Sequence, residues 1–188
     1  MQPDPATTAA AVTFLLAFTA ITPAHWLADH WLQTEHQVIH KGDHDWRGRW
    51  ACARHSAVHV LTTIPFLLAA FALVDGVGVS ITGLVAGQAW TFGSHYLIDR
   101  RWTVSAAARA LAPIGKARFH NLGEPRSHLT VVAERRVAVA AGDSPAHEVT
   151  VQERVPLDRP VLGTGRYALD QSAHHAALFV TALLTATL

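Results

Sequence analysis

Four long apolar stretches without a single Lys or Arg are the feature that most constrains the fold of this chain. The hydrocarbon core of a bilayer is about 30 Å thick and an α-helix rises about 1.5 Å per residue, so roughly twenty mostly apolar residues cross it. All four stretches reach that length, at residues 8–33, 55–75, 79–99 and 168–188. We therefore predict an all-α fold, in which residues 1–188 form a single membrane domain built as a bundle of four transmembrane helices.

Charge and loop length predict how these helices are oriented. All 15 Lys and Arg residues lie in two connections, four of them in residues 34–54 and the remaining eleven in residues 100–167. Cytoplasmic connections of membrane proteins are enriched in Lys and Arg, so both connections are predicted to be cytoplasmic and both chain ends to lie outside. The connection at residues 75–78 is so short that its helices must be antiparallel. A soluble helical bundle, the alternative, explains apolar helices but not this asymmetry of charge.

The long connection between the third and fourth helices has a pattern of its own. Residues 129–140 and 148–155 are rich in Val and Thr, and residues 142–145 between them are Gly, Asp, Ser and Pro. This pattern predicts a β-hairpin within the cytoplasmic connection, with a flexible charged linker as the alternative.

The first connection contains three histidines at intervals of four residues, which in a helix would share one face. Its glycine and its many polar residues instead favour a solvated segment at the membrane interface. We therefore predict no metal site at these histidines, which are His36, His40 and His44.

Each apolar stretch carries ionisable or amide side chains spaced four residues apart. Ionisable residues inside a membrane are rare, normally face the bundle interior and are candidates for a function. Residues four apart lie on one face of a helix, so each helix presents a single polar stripe. The stripes are His25, Asp29 and Gln33 in the first stretch, His55 and His59 in the second, His95 and Asp99 in the third, and Asp170 and His174 in the fourth.

All four stripes are predicted to reach the cytoplasmic half of the bundle. In the first and third helices they lie near the end, and in the second and fourth near the beginning. Helical bundles build metal sites from facing side chains in this way. Imidazole and carboxylate ligands without thiolate suit zinc, manganese or iron, and the single cysteine, Cys52, excludes a thiolate cluster within one chain. The candidate ligands are His25, Asp29, His55, His59, His95, Asp99, Asp170 and His174.

The sequence leaves the occupancy of this site open. Eight candidate ligands could hold one ion with a surrounding shell of hydrogen-bonded groups, or two ions. A hydrogen-bonded network or a proton relay without metal is the alternative. The neighbouring His30 and His175 are expected to point away from the site, toward the membrane interface.

Several separated motifs resemble a bacterial membrane family catalogued as domain of unknown function 3307. The motifs are H-x-x-x-D-x-x-x-Q from His25, Lys41, the His pair that opens the second stretch, H-x-x-x-D from His95, and D-Q-x-x-H from Asp170. The resemblance covers all four predicted helices and implies a multi-pass protein of the bacterial inner membrane.

One branch of that family is closer to this chain than the rest. The segments from Gly115 to Gly123 and from Leu162 to Gln171 are similar to an actinobacterial branch met on mobile elements and phages. The connection is shorter in that branch, so residues 128–160 look like an insertion. A distant likeness to membrane-bound metal-dependent hydrolases implies, at most, hydrolysis at the membrane face.

Three functions are open, and only the first makes the protein an enzyme. In a metal-dependent hydrolase, Asp29 or Asp170 would act as general base, and Gln171 or Lys116 would orient the substrate. The second function is transport or handling of metal ions or protons, which the apolar outer halves of the helices disfavour. The third is a non-enzymatic accessory of a mobile element that binds a cytoplasmic protein through residues 100–167. The bilayer is the expected partner throughout, a homo-oligomer is open, and no nucleic-acid partner is predicted.

Overall fold

The computed structural model describes residues 4–75, 77–123, 130–139, 147–156 and 163–188. A π-helix, Ala28–Leu32, continues the first α-helix, and a 3₁₀ turn, Ala112–Ile114, precedes the sixth. The α-helices in this part of the chain are α1 (Pro5–Leu27), α2 (Glu35–His40), α3 (Trp46–Ala72), α4 (Ile81–Asp99), α5 (Trp102–Ala110), α6 (Lys116–His120) and α7 (Gly165–Thr187).

The long helices α1, α3, α4 and α7 coincide with the four apolar stretches, but α3 begins earlier than predicted. It starts at Trp46 instead of His55, because the Asp45 side chain accepts a hydrogen bond from the backbone N–H of Gly48 and caps the helix. The arginines before His55 lie exposed on the surface of this first part of the helix. The charged residues therefore set the start of the apolar stretch, but the helix itself begins nine residues earlier, at Trp46.

The four long helices form a ring in which each contacts two others. α1 packs against α3 and α7, and α4 packs against the same two helices. The C-terminal parts of α1 and α4 thereby meet the N-terminal parts of α3 and α7 at one end of the bundle. Away from that end lies an apolar core of Ala17, Ala20, Ile21, Leu67, Leu178 and Ala182.

Glycines bring α4 and α7 close together. A Cβ atom at Gly83 would lie 2.8 Å from the carbonyl oxygen of Thr185, and one at Gly87 would meet the Oγ1 atom of the same threonine. Small residues allow helix backbones to approach in this way, which is typical of helix pairs within membranes.

Two helical segments of the described chain, Ala6–Leu32 and Trp46–Ala72, are long and apolar enough to cross a membrane. With 19 and 23 residues, α4 and α7 are also long enough. Polar side chains such as Gln88 and His174 lower their mean hydropathy. Length and hydropathy thus support two of the four predicted spans.

The long connection contains two antiparallel strands, β1 (Thr130–Val139) and β2 (His147–Pro156). They run through the two segments rich in Val and Thr, with Glu134 opposite Gln152. The turn predicted at residues 142–145 lies outside the described residues, as do the two ends of the segment interpreted as an insertion.

Candidate metal centre

Three imidazole nitrogens from three helices converge at the polar end of the bundle. His25 of α1, His59 of α3 and His95 of α4 are each at most 2% exposed. The Nδ1 atom of His25 lies 3.0 Å from Nε2 of His95 and 3.4 Å from Nδ1 of His59. Two nitrogen ligands of one tetrahedral ion lie about 3.3 Å apart, given metal–nitrogen distances of about 2.0–2.1 Å. Nδ1 of His25 therefore lies at about the spacing of two ligands of one ion from a nitrogen of each of the other two histidines, and ligand atoms of all three lie within 4.8 Å of one another.

The other ring nitrogen of each of these histidines faces an oxygen acceptor. His95 Nδ1 lies 2.9 Å from the carbonyl oxygen of Thr91, and His59 Nε2 lies 3.0 Å from Asp29 Oδ1. His25 Nε2 lies 3.4 Å from Asp29 Oδ2 and makes no hydrogen bond among the described residues. In each ring we call the nitrogen that faces an oxygen the outer nitrogen and the one that faces another histidine the inner nitrogen. If the outer nitrogen carries the proton, the inner nitrogen keeps a lone pair. Histidines that bind metals have this arrangement, because the outer hydrogen bond fixes the tautomer and the ring orientation.

Asp29 lies in the π-helix, Ala28–Leu32, and contacts the histidines from there. The interval of four residues between the polar side chains of the first stretch had predicted a regular α-helix as far as Gln33. Such turns are rare and often occur at functional sites. The Asp29 side chain is 12% exposed, and its Oδ1 atom lies 3.0 Å from Nε2 of His59 and 3.1 Å from Nε2 of His55. One carboxylate at the end of the first helical segment therefore faces two imidazoles of α3.

His55 lies between Asp29 and Asp99, the aspartate at the end of α4. Its Nε2 atom lies 3.1 Å from Asp99 Oδ2 and 3.2 Å from Nε2 of His59. Gln33 Nε2 lies 3.2 Å from Nδ1 of His55. The Nε2 atoms of His55 and His59 cannot both carry a proton at this separation, and Oδ2 of Asp99 makes no hydrogen bond among the described residues. Asp29, His55 and His59 are close enough to form a second ligand group, with 3.0, 3.1 and 3.2 Å between their facing atoms.

Lys41 contacts the site from the segment between α2 and α3, which was predicted to be a solvated segment at the membrane interface. Its Nζ atom donates to Oδ1 of Asp99 at 2.7 Å, and the two side chains are 14% and 3% exposed. Burial disfavours the charged ammonium, but the carboxylates of Asp99 and Asp29 outweigh it and hold the pKa of Lys41 above its ordinary value. Arg100 donates to the carbonyl oxygen of Lys41 at 3.1 Å and so fixes this segment over the site.

His174 closes the site from the side of α7. Its ring centre lies 4.9 Å from that of His95, and its Nδ1 atom lies 3.0 Å from the carbonyl oxygen of Asp170. Its Nε2 atom is buried and has no hydrogen-bond partner among the described residues.

Asp170 and Gln171, both predicted as catalytic, line a cleft of about 170 Å³ that also reaches Asp29.

Three residues considered from the sequence are not among the converging groups. Lys116 lines a separate apolar groove. His30 is exposed, with its Nδ1 atom 3.1 Å from the carbonyl oxygen of Trp26, and lines the same cleft as Asp170. His175 is half-buried, and its ring centre lies 6.2 Å from that of His25 and 6.4 Å from that of Trp26. The centre therefore consists of the polar stripes together with Lys41.

Comparisons with protein-family models, with curated proteins and with solved structures found no match to this chain. The resemblance to the bacterial membrane family therefore stays a prediction. The functional interpretation of the site rests on the chemistry of its own residues.

Proposed function

We propose that this protein is an integral membrane protein that binds one divalent transition-metal ion through His25, His59 and His95 and hydrolyses an ester at the cytoplasmic face of the membrane. The convergence of three buried ring nitrogens supports this proposal, because the opposite nitrogen of each ring faces an oxygen. Neutral imidazoles in these tautomers are the form that binds zinc, manganese or iron.

A metal-free site needs a different distribution of protons. If His59 and His95 each donate a hydrogen bond through the outer N–H, the inner nitrogens of both rings can only accept. A single N–H at His25 Nδ1 must then donate to both of them. His25 Nε2 then faces the Asp29 carboxylate without a proton, unless His25 carries two. A neutral, metal-free site therefore leaves Nε2 of His25 buried without a hydrogen bond among the described residues, whereas in the metal centre each inner nitrogen would have the ion as its partner.

The residues around the centre have separate roles in the proposed reaction. When bound, the metal ion supplies a Lewis acid that makes water a nucleophile near neutral pH. Nε2 of His174 is buried, makes no hydrogen bond among the described residues and lies 3.8 Å from Oδ1 of Asp99, so we assign it the transfer of a proton on this side of the centre. Asp170 Oδ2 lies 3.5 Å from His174 Nδ1 and stabilises the charge that results. Asp29 orients His25 and His59 and is a positioning residue in this scheme.

The proposed location is the bacterial inner membrane, crossed by all four long helices with both chain ends outside. α4 and α7 are not among the segments that length and hydropathy select, yet both expose large apolar side chains. Ile81 and Val85 on α4 are 83% and 61% exposed, and Phe179 and Leu183 on α7 are 49% and 43% exposed. Apolar faces of this kind fit contact with lipid.

Membrane location is tested by fractionation of cells that produce the protein. We expect it in the membrane pellet after washing with high salt or alkali, and in solution only after detergent is added. Protein in the supernatant before detergent would contradict the proposal.

Hydrolysis is tested on purified protein in detergent, with 4-nitrophenyl phosphate and a 4-nitrophenyl carboxylate ester as probes. We expect turnover of one probe that is lost on chelation and restored by metal. His174→Ala should lower the rate at least 100-fold, because general acid–base catalysis contributes about 10²–10⁴. His36→Ala, at an exposed histidine outside the lining of the cleft, serves as control. Turnover that survives both chelation and His174→Ala would contradict the proposed mechanism.

A further inference from the structure

The segment that follows α4 is basic and amphipathic. Residues 100–123 contain five Lys and Arg residues and no Asp or Glu. Two of the five, Arg100 and Arg101, donate inward to backbone carbonyl oxygens of the first connection. The other three are Arg109, Lys116 and Arg118.

Large apolar side chains of the same segment are exposed beside these cations. Leu111, Ile114 and Leu122 are 48%, 71% and 62% exposed, and Trp102 is 47% exposed. A short segment with cations and exposed apolar side chains is typical of elements that lie in the membrane interface. Its position directly after the end of α4 places it at that interface if α4 crosses the membrane.

An apolar groove of about 300 Å³ lies between this segment and the bundle. The end of α4, one side of α5 and the beginning of α7 form its walls, with Ile98, Val104 and Leu169 among the lining side chains. Among the described residues that line it, Lys116 is the one that carries a charge. The groove is therefore apolar along its walls and cationic at one point.

Lys116 is available to a ligand at this point. Its Nζ atom lies 5.2 Å from the ring centre of Phe119, a cation–π contact that holds the ammonium beside the groove. It forms no ion pair with any residue in the part of the chain that the structure describes. An anion could therefore approach Lys116 without displacing a carboxylate.

We propose that this groove binds one anionic phospholipid of the inner leaflet, with an acyl chain along the apolar walls and the headgroup phosphate at Lys116. Charge complementarity selects this occupant, because the inner leaflet is rich in anionic lipid and the segment carries only cations. The inference rests on the membrane location proposed above, but not on the metal centre.

The experiment measures binding of single lipids to the full chain in detergent by native mass spectrometry, with phosphatidylglycerol and phosphatidylcholine of equal chain length. We expect phosphatidylglycerol to bind about fivefold more tightly, the effect of one cation near an anionic headgroup. Lys116→Gln should remove this preference and leave phosphatidylcholine binding unchanged. Ala107→Phe, which places a large side chain in the groove, should weaken both lipids.

Arg109→Gln is the matched control, because it removes one charge from the same segment at a residue outside the groove lining. It should keep the preference for phosphatidylglycerol. Equal affinity of the wild type for both lipids, an equal loss in Arg109→Gln and Lys116→Gln, or unchanged binding in Ala107→Phe would each overturn the proposal. Elution volume checks the fold of each variant, and metal content of the same samples reports separately on the metal centre.

Discussion

Oδ1 of Asp29 lies 3.0 Å from Nε2 of His59, the ring nitrogen opposite the Nδ1 atom that faces His25. The other oxygen of the same carboxylate lies 3.4 Å from Nε2 of His25, which makes no hydrogen bond among the described residues. Asp29 therefore fixes the tautomer of His59 and lies beside the outer nitrogen of His25.

Asp29→Asn should weaken metal binding about 10- to 100-fold, the effect of losing an outer hydrogen-bond partner of a metal ligand. An amide offers one acceptor oxygen, and its NH₂ group would face the N–H of the second histidine. Competition with a chelator of known affinity measures the change. The control is Asp43→Asn, because Asp43 contacts His40 outside the centre. Equal affinity in the two variants would show that Asp29 does not orient the ligands.

Lys41→Met should lower the stability of the folded protein by about 3 kcal/mol, because it leaves the buried Asp99 without its cation. Thermal unfolding in detergent, followed by tryptophan fluorescence, measures the effect. Lys116→Met is the matched control, since Lys116 has no carboxylate partner among the described residues. Equal melting temperatures for the two variants would contradict the inferred ion pair.

Gly87→Ala should destabilise the packing of α4 on α7 by about 1–3 kcal/mol, because the added methyl group would overlap Thr185 Oγ1. Gly93→Ala, on the same helix, adds a methyl group that meets no heavy atom within 4 Å. It should be neutral or slightly stabilising, because Ala favours a helix over Gly. The same loss of stability in both variants would point to helix propensity or lipid contact instead of close packing.

Gln88→Met should raise the melting temperature. Gln88 is 7% exposed, and neither its Nε2 nor its Oε1 atom has a hydrogen-bond partner among the described residues. A buried amide without partners costs about 1–3 kcal/mol, and Met fills a similar volume without that penalty. The matched control is Thr91→Val. Unlike the Gln88 amide, the Thr91 hydroxyl makes hydrogen bonds, to the carbonyl oxygen of Gly87 and to Oγ1 of Thr181. A lower melting temperature for Gln88→Met would mean that the amide has a structural partner.

The spacing of the polar residues predicted which side chains meet. His25, His59, His95 and His174 lie on four different helices, yet each belongs to a stripe with an interval of four, and the antiparallel order places the stripes at one end. This inference depends only on helix periodicity and chain direction, both of which the sequence expresses directly.

Three features could not be predicted from these patterns. The π-helix that carries Asp29 depends on backbone hydrogen bonds that side-chain spacing does not report. The early start of α3 depends on the Asp45 cap, which a search for apolar residues passes over. The contact of Lys41 with Asp99 joins residues that are distant in the chain, and a lone Lys in a polar connection normally indicates solvent exposure.

Elemental analysis of the gently purified protein tests the central claim most directly. We expect about one equivalent of zinc, manganese or iron per chain in the wild type, and less than about a tenth of that in His59→Ala, which removes one of three protein ligands. His30→Ala, a histidine of the same stretch outside the centre, should retain the wild-type content. Less than about a tenth of an equivalent in the wild type, with no metal taken up on addition, would contradict the metal centre and favour the proton relay.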